Sequence, residues 1–239
     1  MNSLVFVHGF MGGSLQWLNQ HEYFKEQYNV VTPDLPGFGK NSQMTAPKSI
    51  ADYANFVLDS LADLGIDRFH LVGHSMGGMI VQEMAATAPQ RIRKLVLYGT
   101  GAAGILPNRF ETIQESRRRA HADGAVATAR RISATWFLQR SASTAYEHCA
   151  AIAQRASLQA ISAGLSAMES WSATEHLAAI ASPTLVLWGD NDRTYSWVQT
   201  QQLWQTIPNA ALAVVPGCAH AVHLEKPNIF NALLADFLD

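Results

Sequence analysis

Charge is scarce in this chain of 239 residues, and neither sign dominates. Charged side chains make up 15% of the residues, and 17 Lys and Arg nearly balance 19 Asp and Glu, for a formal net charge of −2. Proteins that bind nucleic acid or an anionic membrane surface usually carry a basic surplus, so neither partner is expected. A small molecule of little or no charge fits this balance better.

Cysteines and long apolar runs are also lacking. The only two cysteines, Cys149 and Cys218, lie far apart and in no metal-ligand spacing, so we expect free thiols, no disulfide framework, no metal site and no cofactor. No apolar run is long enough to span a membrane, and the N-terminus lacks the regions of a signal peptide. The sequence therefore predicts a cytoplasmic protein, and it leaves the oligomeric state open.

The chain does have short apolar runs separated by helical patterns. Six runs are typical of strands, at residues 4–8, 29–34, 69–74, 94–99, 183–189 and 211–216. Helical spacing of apolar residues occurs between them, at residues 50–64, 79–88, 197–207 and 227–238. Strands that alternate with helices predict a mostly parallel sheet of about six strands, with ligands bound beyond the carboxyl ends of the strands.

One region breaks this alternation. Residues 101–176 contain no convincing strand and are rich in arginine, alanine and large apolar side chains. We expect a helical insertion that acts as a lid over the sheet, and a core formed by residues 1–100 and 177–239.

A G-x-S-x-G pentapeptide, residues 73–77, directly follows the third apolar run. A strand that must become a helix within a few residues turns through backbone angles that side chains resist, and glycines two positions before and after the serine relieve the crowding. This context predicts that Ser75 is an exposed nucleophile. The backbone N–H of Met76 and that of Phe10, in the glycine-rich loop after the first strand, are the expected donors to an oxyanion.

A serine nucleophile needs a base, and usually a carboxylate that orients the base. His220 follows the last strand and is favoured by position over His223. The acid is Asp190 or Asp192, which share one tight loop after the fifth strand, and the residue types alone do not choose between them.

Large apolar and aromatic residues are candidates for the substrate pocket, although packing inside the lid explains those of the insertion equally well. The candidates are Met11, Met79, Trp136, Phe137, Tyr146, Trp171 and His223. Five arginines of the insertion are either a carboxylate clamp or solvated surface residues: Arg117, Arg118, Arg119, Arg130 and Arg131.

Taken together, these motifs resemble those of the α/β-hydrolase superfamily along nearly the whole chain. The matching pieces are residues 8–10, 34–39, 73–78, 189–192 and 220–227. The resemblance implies that Asp192 is the acid, that His220 is the base and that residues 101–176 are the cap. Two features depart from the family pattern: the chain begins almost at the family's third strand, and Ala219 stands where glycine often precedes the histidine.

Within the superfamily, the chain is most similar in look to small bacterial carboxylesterases and enol-lactonases, which implies hydrolysis of an ester or lactone through an acyl-enzyme. Two alternatives keep the same triad: hydrolysis of a C–C bond, and an elimination like that of the menaquinone-pathway synthase of succinyl-hydroxycyclohexadiene carboxylate. The latter enzyme has a substrate-binding arginine where this chain has Met79. A third alternative is a non-enzymatic ligand receptor on the same fold.

Overall fold

Six parallel strands form one sheet. The computed structural model describes residues 1–106 and 110–239. The strands are β1 (Ser3–Val7), β2 (Asn29–Val31), β3 (Phe69–His74), β4 (Ile92–Tyr98), β5 (Thr184–Gly189) and β6 (Ala210–Val215). They lie in the order β2-β1-β3-β4-β5-β6, and every neighbouring pair is parallel. The predicted parallel sheet of about six strands is confirmed.

The direction of chain progress through the sheet reverses next to β1. The chain moves from β1 to one edge at β2, returns to β3 on the other side of β1, and then proceeds outward to β6. Connections that leave β1 and β3 therefore diverge, and a crevice opens beyond the carboxyl ends of these two strands. Parallel sheets bind their ligands at such a reversal.

Nine α-helices occur in the part of the chain that the structure describes. They are α1 (Leu18–Phe24), α2 (Ile50–Asp63), α3 (Met76–Thr87), α4 (Ile113–Ala134), α5 (Tyr146–Ala153), α6 (Leu158–Glu169), α7 (Trp197–Thr206), α8 (Val222–Glu225) and α9 (Pro227–Leu238). None of the helices in this part is long and apolar enough to cross a membrane. The two cysteines are free and buried.

Helix α3 begins earlier than the sequence pattern indicated. The apolar spacing predicted a start at Met79, whereas the helix starts at Met76. The sequence pattern did not predict this first turn, because Gly77 and Gly78 lie in it and glycine is a poor helix former. Both are needed for close packing: a Cβ atom on Gly77 would lie 2.3 Å from the carbonyl oxygen of Val7, and one on Gly78 would lie 2.4 Å from Thr100 Cβ.

Each face of the sheet contributes to a separate apolar cluster. Alternate β1 side chains divide between them: Leu4 and Phe6 pack with α1 and α9, whereas Val5 and Val7 pack with α2 and α3. The second cluster also includes buried side chains of α4, α5 and α6. The helices between β4 and β5 are therefore continuous with the core on one face of the sheet.

The helical segment between β4 and β5 leaves and rejoins the sheet at a paired neck. Gly104 N donates to Trp171 O at 3.0 Å, and Ala173 N donates to Ala102 O at 2.8 Å. Helix α4 is kinked at Gly124, which has a φ of 81°. Because the neck brings both ends of the segment together, its helices can pack as a unit above the sheet.

We expect Gly77→Ala to reduce the free energy of unfolding by about 3 kcal/mol, because the added methyl group would collide with the backbone of β1. Urea unfolding followed by circular dichroism measures this change. Gly101→Ala is the matched control, because its Cβ would meet no atom closer than 3.3 Å. Equal stability of the two variants would contradict the close approach of α3 to β1.

Candidate active site

Ser75 lies at the turn from β3 to α3 in a backbone conformation that non-glycine residues rarely adopt. Its φ is 58° and its ψ is −120°. Such strain costs on the order of 1–3 kcal/mol and persists only where neighbouring groups enforce it. Here Ser75 N donates to Tyr98 O at 3.0 Å, and Ser75 O accepts from Thr100 Oγ1 at 2.8 Å and from Gly78 N at 2.8 Å. Strand β4 and the loop after it thus hold the turn.

His220 and Asp192 form a buried, hydrogen-bonded pair beyond the ends of β5 and β6. The His220 Nδ1 atom lies 2.7 Å from Asp192 Oδ2, and the exposed fractions of the two side chains are 3% and 0%. The other carboxylate oxygen, Oδ1, accepts from Thr194 N at 2.7 Å and from Tyr195 N at 3.2 Å. An ionised carboxylate can only accept, so this contact favours the tautomer with the proton on Nδ1, in which Nε2 is the acceptor.

Asp190, the second acid that the sequence allowed, has a different role. Its Oδ1 accepts from Gly217 N at 2.7 Å and from Asn191 Nδ2 at 2.6 Å. These bonds tie the loop after β5 to the turn after β6. The geometry therefore brings Asp192 to His220 and leaves Asp190 as a loop brace.

Ser75 and His220 line the same cavity, whose empty space, with the solvent at its mouth included, is about 530 Å³. No hydrogen bond joins the Ser75 hydroxyl to the His220 ring among the described residues. In unliganded sites this contact is often long and shortens when substrate binds. Phe10 also lines the cavity. A Cβ atom on Gly9 would lie 2.9 Å from Ser75 Cβ, so the backbone before Phe10 runs directly beside the serine.

The two expected oxyanion donors flank Ser75. Met76 is the first residue of α3, where a backbone N–H has no acceptor within the helix. No acceptor for Phe10 N–H occurs among the described residues. Phe10, Ser75 and His220 line the cavity and Met76 does not, so the structure brings together a hydroxyl and an imidazole paired with a carboxylate, and the two N–H groups stay expected oxyanion donors.

A family model described as the alpha/beta hydrolase fold matches residues 2–227. This chain belongs to the α/β-hydrolase family. Among solved structures, an enol-lactonase from Burkholderia xenovorans LB400 superposes with a TM-score of 0.89 at 22% identity, covering 100% of this chain and 92% of the other. That likeness shows the fold.

Several curated relatives of this α/β-hydrolase are similar along almost its whole length. A protein named putative carbamate hydrolase RutD, from Klebsiella pneumoniae, is 29% identical, with 98% of this chain and 90% of the relative covered. A 2-hydroxy-6-oxononadienedioate/2-hydroxy-6-oxononatrienedioate hydrolase from Paraburkholderia phymatum is 30% identical, with 99% and 86% covered. The chain spans 63% of the length of a third relative, the dihydrolipoyllysine-residue acetyltransferase component of an acetoin cleaving system from Cupriavidus necator, at 29% identity. The family and these relatives support a hydrolase enzyme.

Only two of the seven pocket candidates line the cavity of this α/β-hydrolase, namely Met79 and Trp136. Five others lie elsewhere because they are packed or hydrogen-bonded away from it: Met11, Phe137, Tyr146, Trp171 and His223. The Tyr146 hydroxyl donates to Arg130 O at 3.2 Å, and Trp171 Nε1 donates to Glu83 Oε2 at 3.1 Å. Tyr146 is thus bonded within the insertion, whereas Trp171 is bonded to α3 of the core.

None of the five candidate arginines of the insertion lines the cavity. Each lies within ion-pair distance of a carboxylate of this chain: Arg117 of Glu169, Arg118 of Glu115, Arg119 and Arg131 of Glu111, and Arg130 of Glu147. Among the described residues, no arginine or lysine lines the cavity. Nor does this part of the chain contain three His, Cys, Asp or Glu side chains grouped to hold a metal ion.

Sequence reasoning missed most of the cavity wall. The residues it missed are Gly9, Gln16, His74, Gly104, Leu106, Phe110, Ile132, Met168, Thr194 and Tyr195. Thr194 and Tyr195 carried a signal, because they lie two and three residues after Asp192, in the loop that follows β5. Ile132 and Met168 carried none, because their approach to the serine depends on how α4 and α6 pack.

Two ring side chains, those of Tyr98 and His74, hold the backbone of His220. Its carbonyl oxygen accepts from Tyr98 Oη at 2.8 Å and from His74 Nε2 at 3.0 Å. His74 is also stacked on the Tyr98 ring, with centroids 4.4 Å apart. Burial, reinforced by the nearby His220 and His223, keeps the pKa of His74 well below its usual range, so its ring serves as a neutral donor.

His223 lies deeper in the same cluster. Its Nδ1 is 3.0 Å from Tyr98 Oη, and its ring packs on Trp17 with centroids 4.4 Å apart. Burial, helped slightly by His220, lowers the pKa of His223 to about 3. The folded protein therefore keeps this ring neutral at pH 5, whereas in the unfolded chain it is protonated below about pH 6.5.

Stability should consequently fall on acidification. A depressed folded-state pKa means that the unfolded chain binds the extra proton, so between pH 7.5 and pH 5 His223 should lower the free energy of unfolding by about 2 kcal/mol. Urea unfolding of the wild type and of His223→Gln at both pH values tests this. We expect the variant to lose about 2 kcal/mol less than the wild type over this interval. Equal losses would mean that His223 is protonated or solvated in the folded protein.

Proposed function

We propose that this chain is a serine hydrolase that cleaves a carboxylic ester or a lactone through an acyl-enzyme. The observation that carries the proposal is the 2.7 Å contact between His220 Nδ1 and Asp192 Oδ2, with His220 facing the cavity that Ser75 lines. Family membership supports the same chemistry. In this proposal Ser75 is the nucleophile, His220 the base and Asp192 the orienting acid.

In the first half-reaction, Ser75 Oγ bonds to the carbonyl carbon of the substrate while His220 Nε2 takes the hydroxyl proton. The carbonyl oxygen becomes an oxyanion, which accepts hydrogen bonds from Phe10 N and Met76 N. Asp192 stabilises the imidazolium without taking its proton. The tetrahedral intermediate then expels the alcohol oxygen, which receives the proton from His220 Nε2 and leaves an acyl-serine.

Water completes the second half-reaction. His220 Nε2 removes a proton from water as its oxygen bonds to the acyl carbon, and the same two N–H groups receive the oxyanion. Collapse of this intermediate breaks the bond to Ser75 Oγ, which recovers its proton from His220. The carboxylic acid product leaves, and for a lactone the acid and alcohol leave as one molecule.

Residues 101–176 form the lid in this proposal and decide which ester is accepted. Ile132, Trp136 and Met168 supply one wall of the cavity, opposite the core residues that carry the triad. The lining is rich in apolar and aromatic side chains, and its described part contains no cationic one. This composition favours an uncharged substrate with an apolar acyl or alcohol group.

C–C bond hydrolysis on the same triad is the second candidate. It is favoured by the 30% identity to the Paraburkholderia phymatum enzyme, whose named substrate is a dicarboxylate. Carboxylates of a substrate need cationic or multiple hydrogen-bond partners. The described cavity wall has no arginine or lysine, so ester or lactone hydrolysis is the better fit. Elimination is less favoured than either hydrolysis. Met79 lines the cavity at the position where the menaquinone-pathway synthase carries its substrate-binding arginine.

Replacement of the nucleophile tests the reaction class. We expect Ser75→Ala to lower kcat by a factor on the order of 10⁴ or more on any ester or lactone that the wild type cleaves, because no other group can form the acyl bond. Activity would be measured over p-nitrophenyl esters of short and long acids, aryl esters and lactones, with acyl-serine trapping by mass spectrometry. Wild-type turnover by the alanine variant would refute the proposal.

Two acids of one loop, Asp190 and Asp192, provide a matched test of the triad. Asp192→Asn should lower kcat by a factor on the order of 10³ to 10⁴, because an amide cannot fix the ring tautomer or stabilise the imidazolium. Asp190→Asn should leave kcat almost unchanged, since an amide oxygen can still accept from Gly217 N. Initial rates on the best ester from the screen give both values. The reverse order of effects would move the acid to Asp190.

A further inference from the structure

A single carboxylate joins the histidine loop to the helical segment above it. Glu225, the last residue of α8, accepts from Ala219 N through Oε2 at 2.7 Å and from Leu138 N through Oε1 at 2.7 Å. Ala219 directly precedes His220, and Leu138 belongs to the segment between β4 and β5. The Glu225 carboxylate therefore accepts one N–H from the histidine loop and one from the helical segment. Hydrogen bonds to an ionised acceptor are stronger than those between neutral groups.

Further bonds converge on the turn formed by residues 136–138. Ala221 N, on the other side of His220, donates to Trp136 O at 2.9 Å. Arg193, which directly follows Asp192, donates through its guanidinium to Phe137 O at 2.9 Å and to Leu138 O at 3.1 Å. This turn is thus bonded to the residues that flank the base and to the residue that follows the acid.

The rest of the histidine loop is bonded to the core. Asp190 Oδ1 accepts from Gly217 N at 2.7 Å, Cys218 O accepts from Asn191 N at 2.9 Å, and the His220 carbonyl oxygen accepts from Tyr98 and His74. On the side of the helical segment, Glu225 and Trp136 O hold the backbone N–H groups before and after His220. Loss of the Glu225 acceptor would free Ala219 N and allow the peptide before the histidine to rotate.

We propose that Glu225 is a positioning residue that fixes the direction of the His220 ring and links it to the seating of the 136–138 turn. The inference rests on the proposed function for its kinetic consequence. Glu225 does not line the cavity, so it acts through Ala219 and Leu138 rather than on the substrate. The turn that Glu225 holds includes Trp136, which lines the cavity. A substrate that displaces Trp136 would therefore also disturb the hydrogen bonds that hold the His220 loop.

Glu225→Gln is the informative variant. Glutamine has nearly the same shape but only one acceptor oxygen, and its amide NH₂ would face one of the two N–H donors. Glu83→Gln is the matched control, because Glu83 makes a comparable bond between the core and the helical segment, to Trp171 Nε1 at 3.1 Å, remote from His220.

On the best ester from the screen, Glu225→Gln should lower kcat by a factor on the order of 10 or more with KM nearly unchanged, since small displacements of a catalytic group are costly. Glu83→Gln should leave both constants near those of the wild type. A rise in KM without a fall in kcat, or equal losses in both variants, would overturn the proposal. If Glu225→Gln does not fold, Glu225→Asp replaces it, because the shorter side chain cannot reach both donors.

Proton NMR gives a readout that needs no turnover. The Nδ1–H of His220, hydrogen-bonded to a buried carboxylate, should give a low-field resonance, assigned by its loss in Asp192→Asn. We expect Glu225→Gln to shift or broaden this resonance and Glu83→Gln to leave it in place. An unchanged resonance in Glu225→Gln would overturn the positioning role. A wild type that cleaves no ester or lactone would instead refute the proposed function while this measurement still stands.

Discussion

The backbone turn at Ser75 is the constraint on which the rest of this structure depends. Strand β3 becomes α3 without an intervening loop, and this is possible only because Gly77 approaches the β1 carbonyls to a distance that excludes a Cβ atom. The resulting φ of 58° at Ser75 is unfavourable, but bonds from β4 and Thr100 fix both backbone polar groups of the residue. The turn places Ser75 at the start of α3 and on the cavity wall, where only 9% of the residue is exposed, so the expectation of an exposed serine is wrong.

A second constraint is the burial of polar rings behind the site. His8 accepts from Leu35 N at 3.0 Å through Nε2, and its Nδ1 lies 2.8 Å from Gly9 O. Burial lowers the pKa of His8, as it does for His74 and His223. Neutral imidazoles can donate from one nitrogen and accept at the other, so they brace the loops without adding charge near His220. The cluster lowers the free energy of unfolding in acid, because its rings are protonated more readily in the unfolded chain. In the folded protein it holds the loops in fixed positions.

Local sequence signals predicted the sheet and the chemistry at its carboxyl ends. The six strands are short apolar runs, and Ser75, Asp192 and His220 each follow one of them. The identity of the acid was not readable from residue types alone, because Asp190 and Asp192 are equivalent until the loop folds and only one of them meets the imidazole. The family resemblance distinguished them because a motif carries information about tertiary structure that composition does not.

The cavity wall lay largely beyond prediction for the same reason. Phe137 and Trp136 are adjacent and equally apolar, yet only Trp136 lines the cavity. Which of the two residues lines the cavity depends on where α4 ends and on the hydrogen bonds of residues 136–138 to the loops of Asp192 and His220. The apolar pattern of the sequence indicates neither. Likewise, the arginines that the sequence offered for a substrate carboxylate are paired with acids of this chain. These pairs depend on how α4 packs in the folded protein.

The arginine pairs form inside the helical segment, whereas the shape of the cavity wall depends on the seam between this segment and the core. At the neck, residues 102–104 pair with residues 171–173, and this fixes where the segment is attached. At the 136–138 turn, the segment is bonded to the loops of Asp192 and His220, and this fixes how it sits. A substrate pocket built across such a seam cannot change shape on the segment side without a change in the support of the histidine loop. Under the proposed function, specificity and reactivity are therefore coupled through the bonds of the 136–138 turn to the loops of Asp192 and His220.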